Sequence, residues 1–343
     1  MSRLSIRASR AWLATGRLVD DARVVWEDGT IVAAGPASTV TEGRDERVFD
    51  GVVLPALADR HVHVGLSDPA AIVHGGVAAV RDLAWPAGDI FPLADLSEAP
   101  SFEGPLIRAC GPMLTAPGGY PTRAPWAPEG TGREAADPGE AADAVRALSA
   151  AGAAAIKVSL NADAGPTPDD ATLMAICEAA HAASLPVTAH AQGAGQVERA
   201  LGAGVDELAH TPWTERLADR VIEACARSLR IVSTLDIHSY GRETPELAVA
   251  LDNLARFVQA GGDVSYGTDL GNGPIPPGVD VRELRLLARA GLSTDAIVAA
   301  ATRAPLEPGA PADLLGLGMD PFDDLVAFED LQFVVRAGRT VAP

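Results

Sequence analysis

Hydrophobic and polar positions follow two styles along the chain. Near the N-terminus, Leu4–Ala14, Ala22–Glu27 and Thr30–Ala34 are short β-branched runs, and Glu27-Asp28-Gly29-Thr30 carries the Asp-Gly signal of a tight hairpin. The C-terminus repeats the style, with Ala312–Gly316, Leu331–Arg336 and Thr340–Val341 separated by Gly and Pro. Between about Val53 and Thr302, apolar runs of strand length alternate with Ala-rich amphipathic stretches. The runs are Val53–Leu57, Val77–Leu83, Pro105–Ala109, Ala153–Leu160, Pro186–His190, Glu207–His210, Arg230–Leu235 and Asp263–Thr268. Helices are expected between them, for example over Pro138–Ala151, Asp169–Ala183 and Thr244–Ala260. Eight such units in roughly 250 residues predict an α/β chain folded as a (β/α)8 TIM-type barrel. The terminal segments are expected to join as a small β-sandwich side domain. The expected division is 1–52 and 306–343 for the β domain and 53–305 for the catalytic barrel.

Composition narrows the partners. Hydrophobic residues make up 48% of the 343, enough for a sizeable core. The net charge of −19 disfavours nucleic acid and anionic membranes, which need cationic faces. Cys110, Cys177 and Cys225 are odd in number, far apart and without a CxxC pair, so each reads as a core residue in a reducing compartment. The start, Met1 to Arg7, has no apolar core of signal-peptide length, and no run approaches the ~20 apolar residues of a membrane span. These features predict a cytoplasmic protein with a small-molecule substrate. They predict no nucleic-acid or membrane partner and leave homo-oligomerisation open.

One count changes the picture further. The 27 cationic side chains are all arginine except Lys157. Arginine stays protonated, whereas a buried lysine can become a neutral amine, so a single lysine marks a place where arginine chemistry fails; chance survival of one surface lysine is the plain alternative. Lys157 lies in Ala153-Ala154-Ala155-Ile156-Lys157-Val158-Ser159-Leu160. A charged, unpaired lysine there would cost several kcal/mol. It can escape by pairing with a carboxylate such as Asp269, or by reacting with CO2 to form a carbamate whose two oxygens can bridge two cations. The count favours the second, because arginine serves a salt bridge but forms no carbamate.

Metal-type side chains recur at the ends of the apolar runs. His61-Val62-His63 follows the first barrel run, and residues two apart on an extended chain face the same side. His190, His210 and Asp269 end three later runs. In a barrel these positions converge at the C-terminal ends of the strands, where barrel active sites form.

With those residues in place, the chain resembles the metal-dependent amidohydrolase superfamily over nearly its whole length. Leu54-Pro55-Ala56-Leu57-Ala58-Asp59-Arg60-His61-Val62-His63 resembles the family's first-strand motif, and Gly76 to Asp82 its second strand. Ile156-Lys157-Val158 matches the carbamylated lysine of the binuclear branch, His190 and His210 the ligands of strands five and six, and Gly267-Thr268-Asp269 the eighth-strand aspartate. Ala189-His190-Ala191-Gln192-Gly193 is most similar to imidazolonepropionase-like and prolidase-like members. The resemblance implies two divalent ions, zinc or another first-row metal. His61, His63, Asp269 and the Lys157 carbamate would hold one; the carbamate, His190 and His210 would hold the other. It also implies hydrolysis of an amide-type C–N bond in a lactam, cyclic imide, N-acyl compound or dipeptide, by a shared water made hydroxide, with Asp269 carrying the proton to the leaving nitrogen. Three departures stand out: Ala56 where glycine is usual, Tyr120 where related prolidase-like enzymes often carry histidine, and a short join at Ala301–Gly309.

Other residues carry expectations of their own. His238, Tyr120 and Arg123 are candidates for substrate contact, with solvated or packed loop residues as the plain alternative. Arg81 and Asp82 are expected to form an ion pair with each other. His181 is expected on the surface, and His74 as a helix C-terminal cation. A mononuclear deaminase of the same superfamily is the rival activity, but those enzymes show a glutamate soon after the strand-five histidine, where this chain has Gln192-Gly193-Ala194-Gly195. A metal-free binding barrel is the non-enzymatic alternative; its usual mark is loss of ligand residues.

Overall fold

The two β-rich ends of the chain come together as one sheet in a computed structural model that describes residues 3–342. The strands β1 (Leu4–Ala14), β2 (Arg17–Glu27), β3 (Thr30–Pro36) and β4 (Asp45–Pro55) meet β15 (Leu314–Leu317), β16 (Leu331–Arg336) and β17 (Arg339–Ala342) in the order β17-β16-β15-β4-β1-β2-β3. Asp28 and Gly29 both have positive φ, 49° and 77°, the type I′ geometry that an Asp-Gly pair favours. That hairpin tip folds back on the opposite end of the sheet. Trp26 Nε1 donates to Gly338 O at 3.0 Å, and a Cβ on Gly29 would stand 2.9 Å from Ala337 O. The curled sheet encloses its own core of Ile6, Leu13, Val24, Ile31, Leu314 and Phe333, all buried.

Between these ends run the barrel strands β5 (Leu57–Val62), β6 (Val77–Asp82), β7 (Leu106–Ala109), β8 (Met113–Thr115), β10 (Ile156–Asn161), β11 (Val187–Gln192), β12 (Glu207–Leu208), β13 (Arg230–Val232) and β14 (Asp263–Ser265), with the short β9 (Gly132–Glu134) beside β8. Their pairings are all parallel. The third barrel strand is interrupted at Cys110-Gly111-Pro112: β7 pairs with β6 and β8 pairs with β10. Arg60 N donates to Tyr266 O at 3.0 Å, Asp269 N to His61 O at 2.8 Å and His63 N to Leu270 O at 2.8 Å, so backbone bonds join the first strand to the segment after the last.

The expected run Val53–Leu57 proves to be two elements. Val53, Leu54 and Pro55 pair with Gly316, Leu315 and Leu314 in the side sheet, and the first barrel strand begins at Leu57. An unbroken apolar run carries no mark of which neighbours its backbone will bond, so the hand-over between sheets is invisible in it. The helices are easier to read, because their caps are chemical. Asp137, Asp169 and Thr244 each accept a hydrogen bond from a first-turn amide, and Pro138 and Pro245 stand at the first helical position. Among the described residues no helix is long and apolar enough to cross a membrane. All three cysteines are buried and unpaired.

One buried polar residue links this frame to the site. Asn253, fully buried on helix Pro245–Gln259, donates to Pro212 O and Glu215 O at 2.9 Å and accepts from Leu217 N at 3.0 Å, fixing the loop that carries Trp213. Asn253→Ala leaves these backbone groups unpaired and is expected to cost about 2–4 kcal/mol in urea unfolding. Arg220→Ala, which removes an exposed ion pair to Glu198, should change stability by less than about 1 kcal/mol in the same assay.

Candidate metal centre

The alternation of β5 points Asp59, His61 and His63 to the same side, and Asp59 sets the frame. Its buried carboxylate accepts from His61 N at 3.0 Å and Thr268 N at 3.1 Å, and Thr268 Oγ1 donates to its other oxygen. The first and last strands are thereby tied where they deliver His61 and Asp269. Burial pushes Asp59 up to about 7. It lay in plain sight in the first-strand motif, but only its partners across the barrel reveal what it does.

His61 Nδ1 lies 2.8 Å from Ala209 O and His63 Nδ1 lies 3.2 Å from Ala84 O. A carbonyl can only accept, so both imidazoles carry their proton on Nδ1 and present Nε2 inward. The two Nε2 atoms meet Asp269 Oδ1 at 3.1 and 3.2 Å. One ligand atom from each of these three residues lies within 4.8 Å of the others. Asp269 sits at φ 58° in the left-handed region, a strained setting for a residue with a side chain. Burial opposes its ionisation, but His61, His63 and His210 outweigh that and hold the carboxyl well below its usual range.

The other expected ligands face the same cavity of about 240 Å3, whose lining includes His61, His63, Lys157, His190, His210 and Asp269. The His210 ring is 4.6 Å from that of His61 and 4.7 Å from that of His190. His210 Nδ1 bonds Thr234 Oγ1 at 2.8 Å, whereas His190 Nε2 lies 3.2 Å from Asn161 Nδ2 and 3.1 Å from Gln192 Oε1. Burial lowers His61 to about 4 and His190 to about 3, and takes His210 well below its ordinary value. Neutral imidazoles are what a metal requires. His63 is the exception: burial works against its charge, but Asp269 and Asp82 prevail and raise it.

Lys157 enters on β10 with no exposed surface, and its Nζ has no hydrogen-bond partner. Burial drags its ammonium down to about 7. An orphaned buried amine that shares a cavity with the imidazoles of His61, His63, His190 and His210 and an ionised carboxylate is a donor set that fits divalent metal.

Of the candidate substrate contacts, Tyr120 and His238 line the inner cavity, and Arg123 lines a larger space outside it. Tyr120 stacks on His190 at 5.3 Å and accepts a bond from Trp126 Nε1 at 3.0 Å; Trp126 in turn packs on His63 at 4.7 Å. His238 packs on Trp213 at 4.5 Å, and its Nε2 is buried without a partner. Trp126, Trp213, Asn161 and Asp59 complete the site without having been singled out from the sequence. The expected Arg81–Asp82 pair does not form. Successive strand residues face opposite sides, so Arg81 pairs with Glu207 across the barrel while Asp82 accepts from Val64 N and Ala84 N. His74 ends the helix Pro69–His74, and His181 is a half-exposed partner of Asp206, away from the site.

The wall bearing His238 is braced from outside the barrel. Glu283, fully buried on helix Val281–Arg289, accepts from Asp236 N at 2.8 Å, and Asp236 accepts from Gly241 N at 3.0 Å.

Comparison with known proteins extends the geometry. A model of the amidohydrolase family matches residues 52–318. Uncharacterized proteins of Mycobacterium tuberculosis and Mycobacterium bovis are 27% identical over a 354-residue alignment covering 91% of this chain and 91% of each relative. Among solved structures, a candidate prolidase from Bifidobacterium longum superposes with a TM-score of 0.82 at 25% identity, over 98% of this chain and 94% of the other. The ochratoxinase of A. niger superposes with a TM-score of 0.83 at 19% identity, over 99% and 95%, a likeness of fold.

The brace on the His238 wall can be checked without any ligand. Burial raises Glu283 from 4.5 to about 8. In that window the folded chain keeps a proton the unfolded chain has released, so this residue makes stability fall as pH rises. Thermal unfolding from pH 5 to pH 8 should show that decline, and Glu283→Gln, which cannot ionise, should flatten it.

Proposed function

The chain belongs to the amidohydrolase family and is a hydrolytic enzyme, and from that footing we propose that it cleaves an amide-type carbon–nitrogen bond with two divalent ions, zinc in the first instance, and a carbamate on Lys157. The observation that carries this reading is the partnerless Lys157 amine, buried beside the point where His61 and His63 converge on Asp269. In this reading His61, His63, Asp269 and the carbamate hold one ion, and the carbamate, His190 and His210 hold the other. When bound, the ions polarise a carbonyl oxygen and acidify a water.

The remaining work falls to side chains. Asp269, ionised and beside His61 and His63, takes the proton released as water adds to the carbonyl carbon and delivers it to the leaving nitrogen. Asn272 Nδ2 donates to Asp269 Oδ2 at 3.0 Å, which holds the carboxylate with Oδ1 toward His61 and His63. Tyr120, pushed up to about 12 by burial, stays a phenol; its oxygen accepts from Trp126, so its own proton is free to donate to a substrate oxygen. His238, lowered to about 4 by burial, offers a neutral Nε2 from the opposite wall. Candidate substrates are lactams, cyclic imides, N-acyl compounds and dipeptides.

Protein purified with zinc and bicarbonate is expected to hold about two ions per chain by elemental analysis and to release amine from members of this set. Lys157→Arg should lose at least one of those ions, and wild-type metal content and activity in that variant would remove the carbamate from the mechanism. Asp269→Asn should lower kcat by about 10²–10⁴-fold, the usual range for losing a proton-transfer group.

A further inference from the structure

The strands β10 and β11 pair in register, with Ser159 opposite His190 and Asn161 opposite Gln192. Alternation puts Asn161 on the side of β10 that carries Lys157, and Gln192 on the side of β11 that carries His190. Two carboxamides therefore stand side by side one step beyond the imidazole, and all three side chains line the inner cavity. Asn161 Nδ2 lies 3.0 Å from Gln192 Oε1 and 3.2 Å from His190 Nε2, and Gln192 Oε1 lies 3.1 Å from the same Nε2. His190 Nδ1 makes no hydrogen bond among the described residues.

Neighbours with only one possible role fix which way each amide points. The Ala164 amide can only donate, and Asn161 Oδ1 accepts from it at 3.0 Å, so Asn161 turns Nδ2 toward Gln192 and His190. A carboxylate only accepts, and Gln192 Nε2 donates to Asp163 Oδ2 at 3.4 Å, so Gln192 turns Oε1 to the imidazole. Gly193, at φ 99°, leaves Asp163 its place, since a Cβ there would stand 3.1 Å from Asp163 Oδ1. Sides of 3.0, 3.1 and 3.2 Å make a triangle with angles of about 60°. The two N–H bonds of Asn161 Nδ2 diverge by roughly 120° and cannot point along two such sides at once, whereas a carbonyl oxygen accepts over a broad range. Gln192 Oε1 therefore takes both protons, one from Asn161 and one from His190 Nε2. His190 is thus protonated on Nε2, the reverse of His61 and His63, which give their Nδ1 protons to backbone carbonyls.

We propose, on the footing of the two-ion reading above, that Gln192 is a positioning residue: aligned by Asn161 and Asp163, it sets which nitrogen of His190 is open to metal. By drawing the His190 proton to Nε2, it leaves the Nδ1 lone pair free for the ion assigned to His190 and His210. His61 and His63 take their orientation from the backbone, and His210 from a hydroxyl that can donate or accept. His190 alone depends on a carboxamide acceptor that one substitution removes. Removing it has a defined consequence. Asn161 Nδ2 would be left as the partner of Nε2, Nε2 would accept, and the proton would pass to Nδ1 and close that atom to metal.

The test reads the proton directly in the metal-free full chain. Long-range proton–nitrogen correlation spectra of protein with isotope-labelled histidine, at neutral pH, should show His190 protonated on Nε2, its signals assigned by their absence from His190→Asn. Gln192→Met, which keeps the length and removes the acceptor, should move the proton to Nδ1; Gln192→Glu, which keeps an acceptor, should not. In zinc competition against a chelator, Gln192→Met should weaken one of the two ions about 10- to 100-fold and spare the other, and Gln192→Glu should restore most of the loss. A wild-type His190 protonated on Nδ1, a proton or an ion affinity indifferent to Gln192→Met, or equal losses in the two variants would overturn the proposal. If the proton behaves as expected but the wild-type chain takes up fewer than two ions, the control of His190 by Gln192 stands and the two-ion reading falls.

Discussion

Burying an ammonium group without a partner costs several kcal/mol, and Lys157 is placed where that cost is unavoidable. It has no exposed surface, it shares a cavity with His61, His63, His190 and His210, and burial has already weakened its hold on a proton. The surroundings complement this choice. The nearby histidines are held neutral by the same loss of solvent, apart from His63, while the Asp269 carboxyl lies well below its usual range. One buried, partly polar chamber thus carries three departures from ordinary acid–base behaviour. In the reading proposed above, it is also what makes a carbamate and two cations the group that completes the site.

Such a chamber needs a frame that does not give way. Asp59 bonds both to the strand bearing His61 and to the segment bearing Asp269, so a shift of one against the other would break its bonds. The backbone carries strain at the same level: Asp269 and Thr234 both sit at positive φ, 58° and 45°, and Thr234 holds His210. Strain of this kind costs ~1–3 kcal/mol per residue and persists only where the surroundings over-determine it. Part of that support comes from the side sheet. β4 runs almost directly into β5, and Ala56 N donates to Asp313 O at 2.9 Å, so the strand carrying the first two histidines is anchored to the C-terminal strands.

The chamber opens toward loop segments. The loop from Ala116 to Trp126 lines the inner cavity with Tyr120 and the outer one with Arg123. Tyr120 and Trp126 are held by a hydrogen bond to each other and by packing on histidine rings.

The amino-acid sequence alone determined the alternation of strands and helices, the convergence of His61, His63, His190, His210 and Asp269 on one barrel face, and the oddity of a single lysine. These follow from local periodicity and side-chain chemistry, which need no knowledge of distant neighbours. Helix starts were legible for the same reason, since a cap residue and a first-turn proline act within a few positions. The tertiary structure alone decided where Val53–Leu57 passes from one sheet to the other, that Arg81 reaches Glu207 and not Asp82, that Asp59 bridges the barrel, and that Trp126 and Trp213 wall the site. Each depends on which backbone or side-chain partner lies across the fold, and such partners are set by chain closure over long sequence separations, which no local pattern records.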